Sequence, residues 1–446
     1  MRIDSSTASR TVAGLLVLLC ASRSFADDID EYIRLEMEHQ RIPGLALAVV
    51  RDGRPVKMEG YGLANVELTT PVSTDTVFRI SSISKQFLAT VVMLLVQDGK
   101  MALDDQVNQY LEDSPETWAP ITVRHLLAHT SGLQRESPGF EPLADQSNEE
   151  LVRNSYSKPV LFKPGEQFAY SNLAYYVLAE IIERAAGKSW PEFLTERIFD
   201  PLKMMATSTA RLIDIVPNRA TGYIFRDDAL KNARPLITLR ASGSLLASVA
   251  DMVKWDAALS GRRLVRPEIQ ELMWKSTTLT NGSPTNYGFG WWIDNVRGHR
   301  RIRHGGDNPG YASEYSRFDD SLSVIVLTNG GCARPDAIAL DVADHFMPGL
   351  SPPRSTIELD AEVLEKYSGR YQFGPNDVVT IKVDGNGLSL QNDTPVFSSQ
   401  CKMLAESPTT FFIARNESWV FAMKNGAVTQ VTVKFGDQEF PAVKVR

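Results

Sequence analysis

Arg79–Lys100 reads RISSISKQFLATVVMLLVQDGK. The run from Phe87 to Val96 is apolar except for Thr90, so it predicts a helix enclosed by the rest of the chain. Ser82 and Lys85 stand three residues apart where that helix begins. Residues at i and i+3 share a helix face, which lets the lysine amine rest against the serine hydroxyl. A serine at its ordinary pKa is a poor nucleophile, and an amine kept partly neutral by burial can take its proton.

Taken alone, Ser-x-x-Lys is a weak pattern. It occurs three times, at Ser82/Lys85, Ser155/Lys158 and Ser399/Lys402. Pro159 follows Lys158 and bars a continuing helix, and Ser399 lies in a β-rich tail. Only Ser82 opens a long apolar helix, whose first amide groups favour negative charge beside them. A serine that merely caps a core helix would look the same in isolation, so the rest of the chain decides.

Working outward, Asp30–Arg41 predicts a first helix that ends near Pro43-Gly44. Leu45–Arg51 and Pro55–Gly62 read as strands joined by an Asp52-Gly53 hairpin turn. Residues 104–235 read as a helical, loop-rich insertion. Within it, Thr122 caps a helix beginning at Val123, and Asn172–Gly187 is a helix stopped by its glycine. Ser248–Leu259 reads as a capped helix. Tyr287–Ile293, Arg301–His304, Tyr311–Phe318 and Ser321–Thr328 follow as strands, and Asp336–Phe346 as a closing helix. The expected class is therefore α/β: an antiparallel sheet, built from both ends of the segment and flanked by helices, with an all-helical insertion between.

Pro348–Pro353 begins a linker (348–359). Residues 360–446 then change to short β-rich runs separated by Asp-Gly, Asn-Gly and Gly-Asp turns, which predicts an antiparallel β-barrel. At the other end, residues 1–26 read as a signal peptide. Arg2 and Arg10 precede an apolar core, Val12–Ala21, too short to span a bilayer, and Ser24-Phe25-Ala26 offers a cleavage site. That leaves 27–347 as the main domain, a periplasmic or secreted location, and no integral membrane segment after cleavage. Cys332 and Cys401 alone would survive, and the sequence leaves their pairing open. A formal charge of −7, with no basic run or phosphate-cradling loop, argues against nucleic acid. The oligomeric state is not legible.

Two further motifs carry chemistry. Tyr170-Ser171-Asn172 sits on a loop before a helix; a phenol near a lysine ammonium can titrate low enough to relay protons, and an asparagine amide can orient a substrate carbonyl. His304-Gly305-Gly306 follows a strand, where glycines let a substrate approach the backbone and leave amide donors for an oxyanion. His125 and His129 have zinc-helix spacing, but no glutamate follows His125 and no third ligand is evident, so they read as structural. No metal or cofactor is called for. The chain lacks Gly-x-Ser-x-Gly, which removes the α/β-hydrolase nucleophile elbow.

In this order the three motifs resemble those of the serine β-lactamase and penicillin-binding-protein superfamily, nearest to the class C-like branch with its D-aminopeptidases, DD-peptidases and family VIII esterases. The resemblance covers residues 30–346 and extends to LLAHTSGL (126–133), PGEQFAYSN (164–172), YGFGWW (287–292) and the residues after His304. The tail resembles the lipocalin-like domain of some relatives. The resemblance implies that Ser82 is acylated, Lys85 activates it, and Tyr170 passes a proton to the leaving group. Asn172 would hold the substrate amide, and the backbone N–H groups of Ser82 and Asp307 would form the oxyanion hole. One departure matters: where β-lactamases and DD-peptidases usually carry lysine, this chain has His304. Histidine is mostly neutral at pH 7, which weakens capture of a penicillin carboxylate. The expected function is a secreted serine hydrolase acting on small-molecule or peptide substrates such as D-amino-acid peptides or small esters. The alternatives are a β-lactamase or DD-carboxypeptidase, and a non-catalytic penicillin-recognising binding or sensor protein.

Overall fold

A computed structural model describes residues 28–445 apart from 210–213, 235–239, 320, 352, 375–376, 393–398 and 436–437. The expected signal peptide (1–26) lies outside the described residues. Helix α1 covers 28–39. It is followed by strands β1 (Gly44–Arg51), β2 (Arg54–Asn65) and β3 (Thr70–Pro71). Asp52 and Gly53 both take positive φ, the two-residue turn that matches the twist of a hairpin.

Helix α2 (Ser84–Gln97) comes next, and every residue from Ser84 to Leu95 is buried. It begins two residues later than expected, because Ser81–Ile83 forms a 3₁₀ turn ahead of it. The insertion carries α3 (Asn172–Ala186), capped by the Ser171 hydroxyl and ended by Gly187 at φ 70°. It also contains a small hairpin, Tyr223–Arg226 with Ala229–Asn232. After α4 (Val249–Ser260), the chain returns as β4 (Trp292–Val296), β5 (His299–Asn308), β6 (Tyr311–Phe318) and β7 (Leu322–Thr328), and closes with α5 (Pro335–Phe346).

The main sheet has the order β3-β2-β1-β7-β6-β5-β4, antiparallel throughout. Its two central strands are covered on both faces, and their alternation divides the core cleanly. On β1, Ala46, Ala48 and Val50 face the cluster built around α2, while Leu45, Leu47 and Val49 face the cluster that includes Ile33 and Ile338 of α1 and α5. Ile325 and Leu327 of β7 join the first cluster, and Leu322, Val324 and Val326 the second. This accounts for unbroken apolar runs where a half-exposed sheet would alternate with polar residues.

Two strand expectations shift. Tyr287–Trp291 is loop, and the strand begins at Trp292. A Cβ on Gly290 would meet the Lys85 carbonyl oxygen at 2.8 Å, so this loop is pressed directly onto α2. The strand expected to end at His304 continues to Asn308, so the glycines lie within β5 rather than after it.

The C-terminal region from Gly369 to Val445 forms an eight-stranded antiparallel barrel whose strands follow sequence order and close first on last. Tyr367, Tyr371, Phe411 and Phe421 are part of its core. Cys332, just beyond β7, is disulfide-bonded to Cys401 of the barrel strand Gln400–Ser407, with a Cα–Cα distance of 5.4 Å. The pairing left open by the sequence thus joins the barrel to the sheet domain. Among the described residues, no helix is long and apolar enough to cross a membrane.

Candidate active site

The turn holding Ser82 is fixed by its neighbours. Ser81 is fully buried at φ 52°, a conformation non-glycine residues rarely take. Three bonds impose it. The Ser84 hydroxyl donates to the Ser81 carbonyl (2.6 Å), the Leu245 N–H donates to the Ser84 hydroxyl (3.1 Å), and Asn308 Nδ2 donates to Ser81 Oγ (2.7 Å). Strand β5 packs against this turn. A Cβ on Gly306 would sit 2.8 Å from Ser81 Cβ and 2.6 Å from Ser313 Oγ, so only glycine fits. The second glycine of the motif is therefore a packing requirement that brings the strand edge beside Ser82.

Lys85 lies one helical step from Ser82 and is fully buried. Its Nζ donates to Ser82 Oγ (3.1 Å), Asn172 Oδ1 (2.8 Å) and the Ser242 carbonyl (2.8 Å). Burial drives its pKa well below the usual lysine value; Glu136 opposes the shift and Arg135 adds to it. The amine is thereby made a base aimed at the serine.

Tyr170 comes from the loop before α3 and flanks the same serine. Lys85 Nζ lies 4.8 Å from its ring centroid. Burial raises the phenol's pKa, and a hydrogen bond with the Ser82 hydroxyl offsets this only in part. The expectation of a phenol that titrates low is thus reversed: Tyr170 rests protonated, fit to give a proton before it takes one. Its ring is held by His129 (centroids 4.2 Å apart) and lies parallel to Trp292 at 6.2 Å. His129 is fully buried, accepts the Ser171 N–H at Nδ1 (3.1 Å), and is kept neutral by burial. It supports the tyrosine.

Asn172, the first residue of α3, accepts from Lys85 and donates through Nδ2 to the Glu136 carboxylate, which also receives the Tyr176 hydroxyl (3.2 Å). Burial raises the pKa of Glu136 despite these donors. Glu136 escaped the sequence reading. So did Tyr287, which lies in the quoted YGFGWW run and whose hydroxyl meets His304 Nε2 at 3.0 Å.

His304 is 2% exposed. Its Nδ1 lies 2.6 Å from the Gly305 carbonyl, which cannot donate, so Nδ1 carries the proton and Nε2 accepts from Tyr287. Burial, helped by Lys85, pushes its pKa down to about 3, so the ring is neutral at pH 7. Strand β4 pairs with β5 only from His299 to Arg303, so from His304 to Asn308 the outer edge of β5 has no strand partner among the described residues. Gly305, Gly306 and Asp307 line the cleft along that edge. The Asp307 side chain is itself exposed at the cleft.

All eight sequence-derived residues belong to this one arrangement, seven lining a cleft of about 1150 Å³ and Lys85 buried behind Ser82. Of the other Ser-x-x-Lys pairs, Ser155 is buried with its hydroxyl on the Leu151 carbonyl and Lys158 is exposed, while Ser399 lines the cleft from the barrel side with its hydroxyl accepting the Phe225 N–H. Barrel residues also line the cleft, among them Asp377, Val379, Leu390 and Ser399. A buried amine on a serine, a protonated phenol beside both and an open strand edge can together support acyl transfer to the serine.

Residues 29–345 match the family model described as Beta-lactamase, and residues 353–443 one described as a domain of unknown function. Over 406 residues the chain is 26% identical to penicillin-binding protein 4* of Bacillus subtilis strain 168, covering 84% of this chain and 89% of that one. It is 29% identical over 343 residues to a D-aminopeptidase of Brucella canis, covering 73% of this chain but only 64% of that relative. The structure of the octameric penicillin-binding protein homologue from Pyrococcus abyssi matches with a TM-score of 0.68 at 26% identity, covering 94% of this chain and all of that one.

Proposed function

The chain belongs to the beta-lactamase family of serine hydrolases, and on that premise we propose that it cleaves amide or ester bonds in small D-amino-acid derivatives through an acyl-enzyme on Ser82. The observation that carries this reading is the Lys85 amine, fully buried, its pKa held well below the usual lysine value by that burial, and 3.1 Å from Ser82 Oγ. Lys85 takes the serine proton as Oγ attacks the carbonyl carbon. The backbone N–H groups of Ser82 and Asp307 hold the oxyanion, a contribution worth about 3 to 4 kcal/mol per donor. Tyr170 gives its proton to the departing nitrogen or oxygen and recovers one from the Lys85 ammonium, while Asn172 orients the substrate. Water then releases the acyl group by the reverse path.

The neutral His304 favours amides and esters over β-lactams, because it offers no cation to a penicillin carboxylate. The D-aminopeptidase relative supports D-amino-acid substrates. The Cys332–Cys401 disulfide supports an oxidising compartment, periplasmic or extracellular. The closed eight-stranded barrel agrees with the lipocalin-like reading of the tail.

The test is kcat/KM on D-Ala p-nitroanilide, a p-nitrophenyl ester and nitrocefin, for wild type and Ser82→Ala, with mass spectrometry after fluorophosphonate treatment. The expected result is a Ser82 adduct, with nitrocefin the poorest substrate. Folded protein that forms no adduct would make this a binding protein. Nitrocefin turning over fastest would make it a β-lactamase.

A further inference from the structure

Positive charge lines the cleft where the acyl-transfer steps make no use of it. Three arginines reach it from segments outside the main sheet: Arg79, three residues before the nucleophile, Arg135 and Arg240. Among the described residues, Arg79 has neither an ion pair nor a side-chain hydrogen bond, although it is largely covered. Arg240 is 5% exposed. Its Nη2 donates to the carbonyls of Glu141 (2.8 Å) and Ala144 (3.4 Å), and its guanidinium lies 4.1 Å from the Phe140 ring centroid. Among the described residues its Nε has no hydrogen-bond partner. Arg135 lies over the Tyr170 ring at 5.5 Å, and no acid pairs with it among the described residues. The carboxylate in their midst, Glu136, is already engaged by Asn172 and Tyr176.

A buried guanidinium whose charge is not fully balanced is costly, and two facing one cleft repel each other as well. Burial lowers the pKa of both Arg79 and Arg240; at Arg240 the nearby Arg79 adds to the shift, and Tyr176, Glu136 and Asp145 oppose it without cancelling it. An incoming anion would relieve both penalties. The planar fork of guanidinium donors matches a carboxylate in particular.

We propose that Arg79 and Arg240 form a carboxylate subsite, so that the substrates of Ser82 carry an anionic group received on this wall of the cleft. His304, neutral and buried, offers no cation to such an anion, and these two guanidiniums would receive it instead. This rests on Ser82 being the nucleophile, and it narrows the substrate class to amides or esters bearing a free carboxylate.

The test compares matched ester pairs. Mono-p-nitrophenyl succinate against its methyl ester places the carboxylate on the acyl side. Acetoxybenzoate against methyl acetoxybenzoate places it on the leaving side. Wild type is expected to favour the anionic member of at least one pair by about tenfold or more in kcat/KM. Arg79→Gln and Arg240→Gln should each lower that ratio by about ten- to a hundredfold, the neutral member recording any general effect on the site. If Arg240→Gln does not fold, Arg79→Gln, which is partly exposed, carries the test. No anionic preference in either pair, or a preference that survives Arg79→Gln, would overturn the subsite while leaving Ser82 in place. Hydrolysis that survives Ser82→Ala would overturn the nucleophile and this subsite together.

Discussion

Replacing Gly306 with alanine separates a packing requirement from simple flexibility in the third motif. The new methyl would stand 2.8 Å from Ser81 Cβ and 2.6 Å from Ser313 Oγ, with the Ile80 carbonyl oxygen closer still, whereas ordinary contact begins near 3.4 Å. Relief therefore requires the β5 edge and the serine turn to separate by at least about 0.6 Å at Ser81, and by more at the carbonyl. The turn cannot simply yield, since Ser81 is held at positive φ by bonds to Ser84 and Asn308. A displacement approaching 1 Å between nucleophile and oxyanion donors costs on the order of a hundredfold in rate. Overpacking of this kind adds about 1 to 3 kcal/mol of destabilisation. We expect Gly306→Ala to lower kcat/KM on a p-nitrophenyl ester by about 10- to 100-fold, mostly through kcat. Gly305→Ala provides the contrast, because its methyl would meet only the Glu314 carboxylate at 3.0 Å, with the Ser313 carbonyl at an ordinary 3.5 Å, and should cost less. Both variants need a thermal-denaturation curve beside the kinetics. A folded Gly306→Ala protein with wild-type kcat/KM would refute the argument that this strand edge sets the position of Ser82.

Lys85→Met should lower kcat/KM by about 10²- to 10⁴-fold, the range of a lost general base, and should slow fluorophosphonate labelling of Ser82 as well; labelling at the wild-type rate would show that another group activates the serine. In Glu136→Gln the buried carboxylate that receives Asn172 and Tyr176 becomes an amide with half the acceptors, so Asn172 loses its fixed orientation. A fall of about tenfold in kcat/KM with an intact fold is expected, and no change would remove Glu136 from the positioning of Asn172. His304 titrates near 6.5 when unfolded and is pushed down to about 3 when folded, so the unfolded chain binds its proton first. Stability from this residue is present above pH 6.5 and declines as pH falls toward 3, by up to about 1.4 kcal/mol per unit; His304→Asn should flatten that limb of a urea-midpoint profile. The Cys332–Cys401 bond closes 69 residues of chain, which a chain-entropy argument values at about 4 kcal/mol. The double serine variant should unfold at a lower temperature in calorimetry, and an unchanged midpoint would contradict that value.

How much of this was legible depended on how local each cause was. Hydrophobic period gave β1, β6, β7, α2 and α3 to within a residue or two, because their burial is written in consecutive side chains. Ser82, Lys85, Tyr170, Asn172 and the His304 motif could be found because each stands in a short run of recognisable chemistry. The misplaced strand at Tyr287 shows the limit: YGFGWW has strand composition, but close approach of Gly288 to the Met273 carbonyl and of Gly290 to α2 holds it as loop. Glu136 has no local signal, since its role comes from acceptor bonds to residues 36 and 40 positions away. The phenol of Tyr170 was misjudged for a related reason. A nearby amine is visible in sequence, but the burial that lowers that amine's pKa also raises the phenol's.

That shared burial links the chemistry to the architecture. An amine can serve as base at Ser82 only while water is kept from it, and the exclusion comes from three directions: α2 itself, the Ser242 carbonyl, and the aromatic wall of Tyr170 and Tyr175 over which Nζ lies at 4.8 and 5.4 Å. The barrel adds a fourth boundary farther out. Cys332 follows β7, the strand beside β6, and its disulfide brings Cys401 to the cleft together with Ser399. The Ser399 hydroxyl accepts the Phe225 N–H at 3.1 Å, so the barrel is also hydrogen-bonded to the hairpin of the insertion. Sheet, insertion and barrel therefore all meet around one cleft, and a substrate that reaches Ser82 passes surfaces from each. Opening the barrel enlarges the cleft without touching Lys85, whereas loosening the Tyr170 loop wets the amine. The two perturbations should separate as changes in substrate size preference and in the pH dependence of kcat.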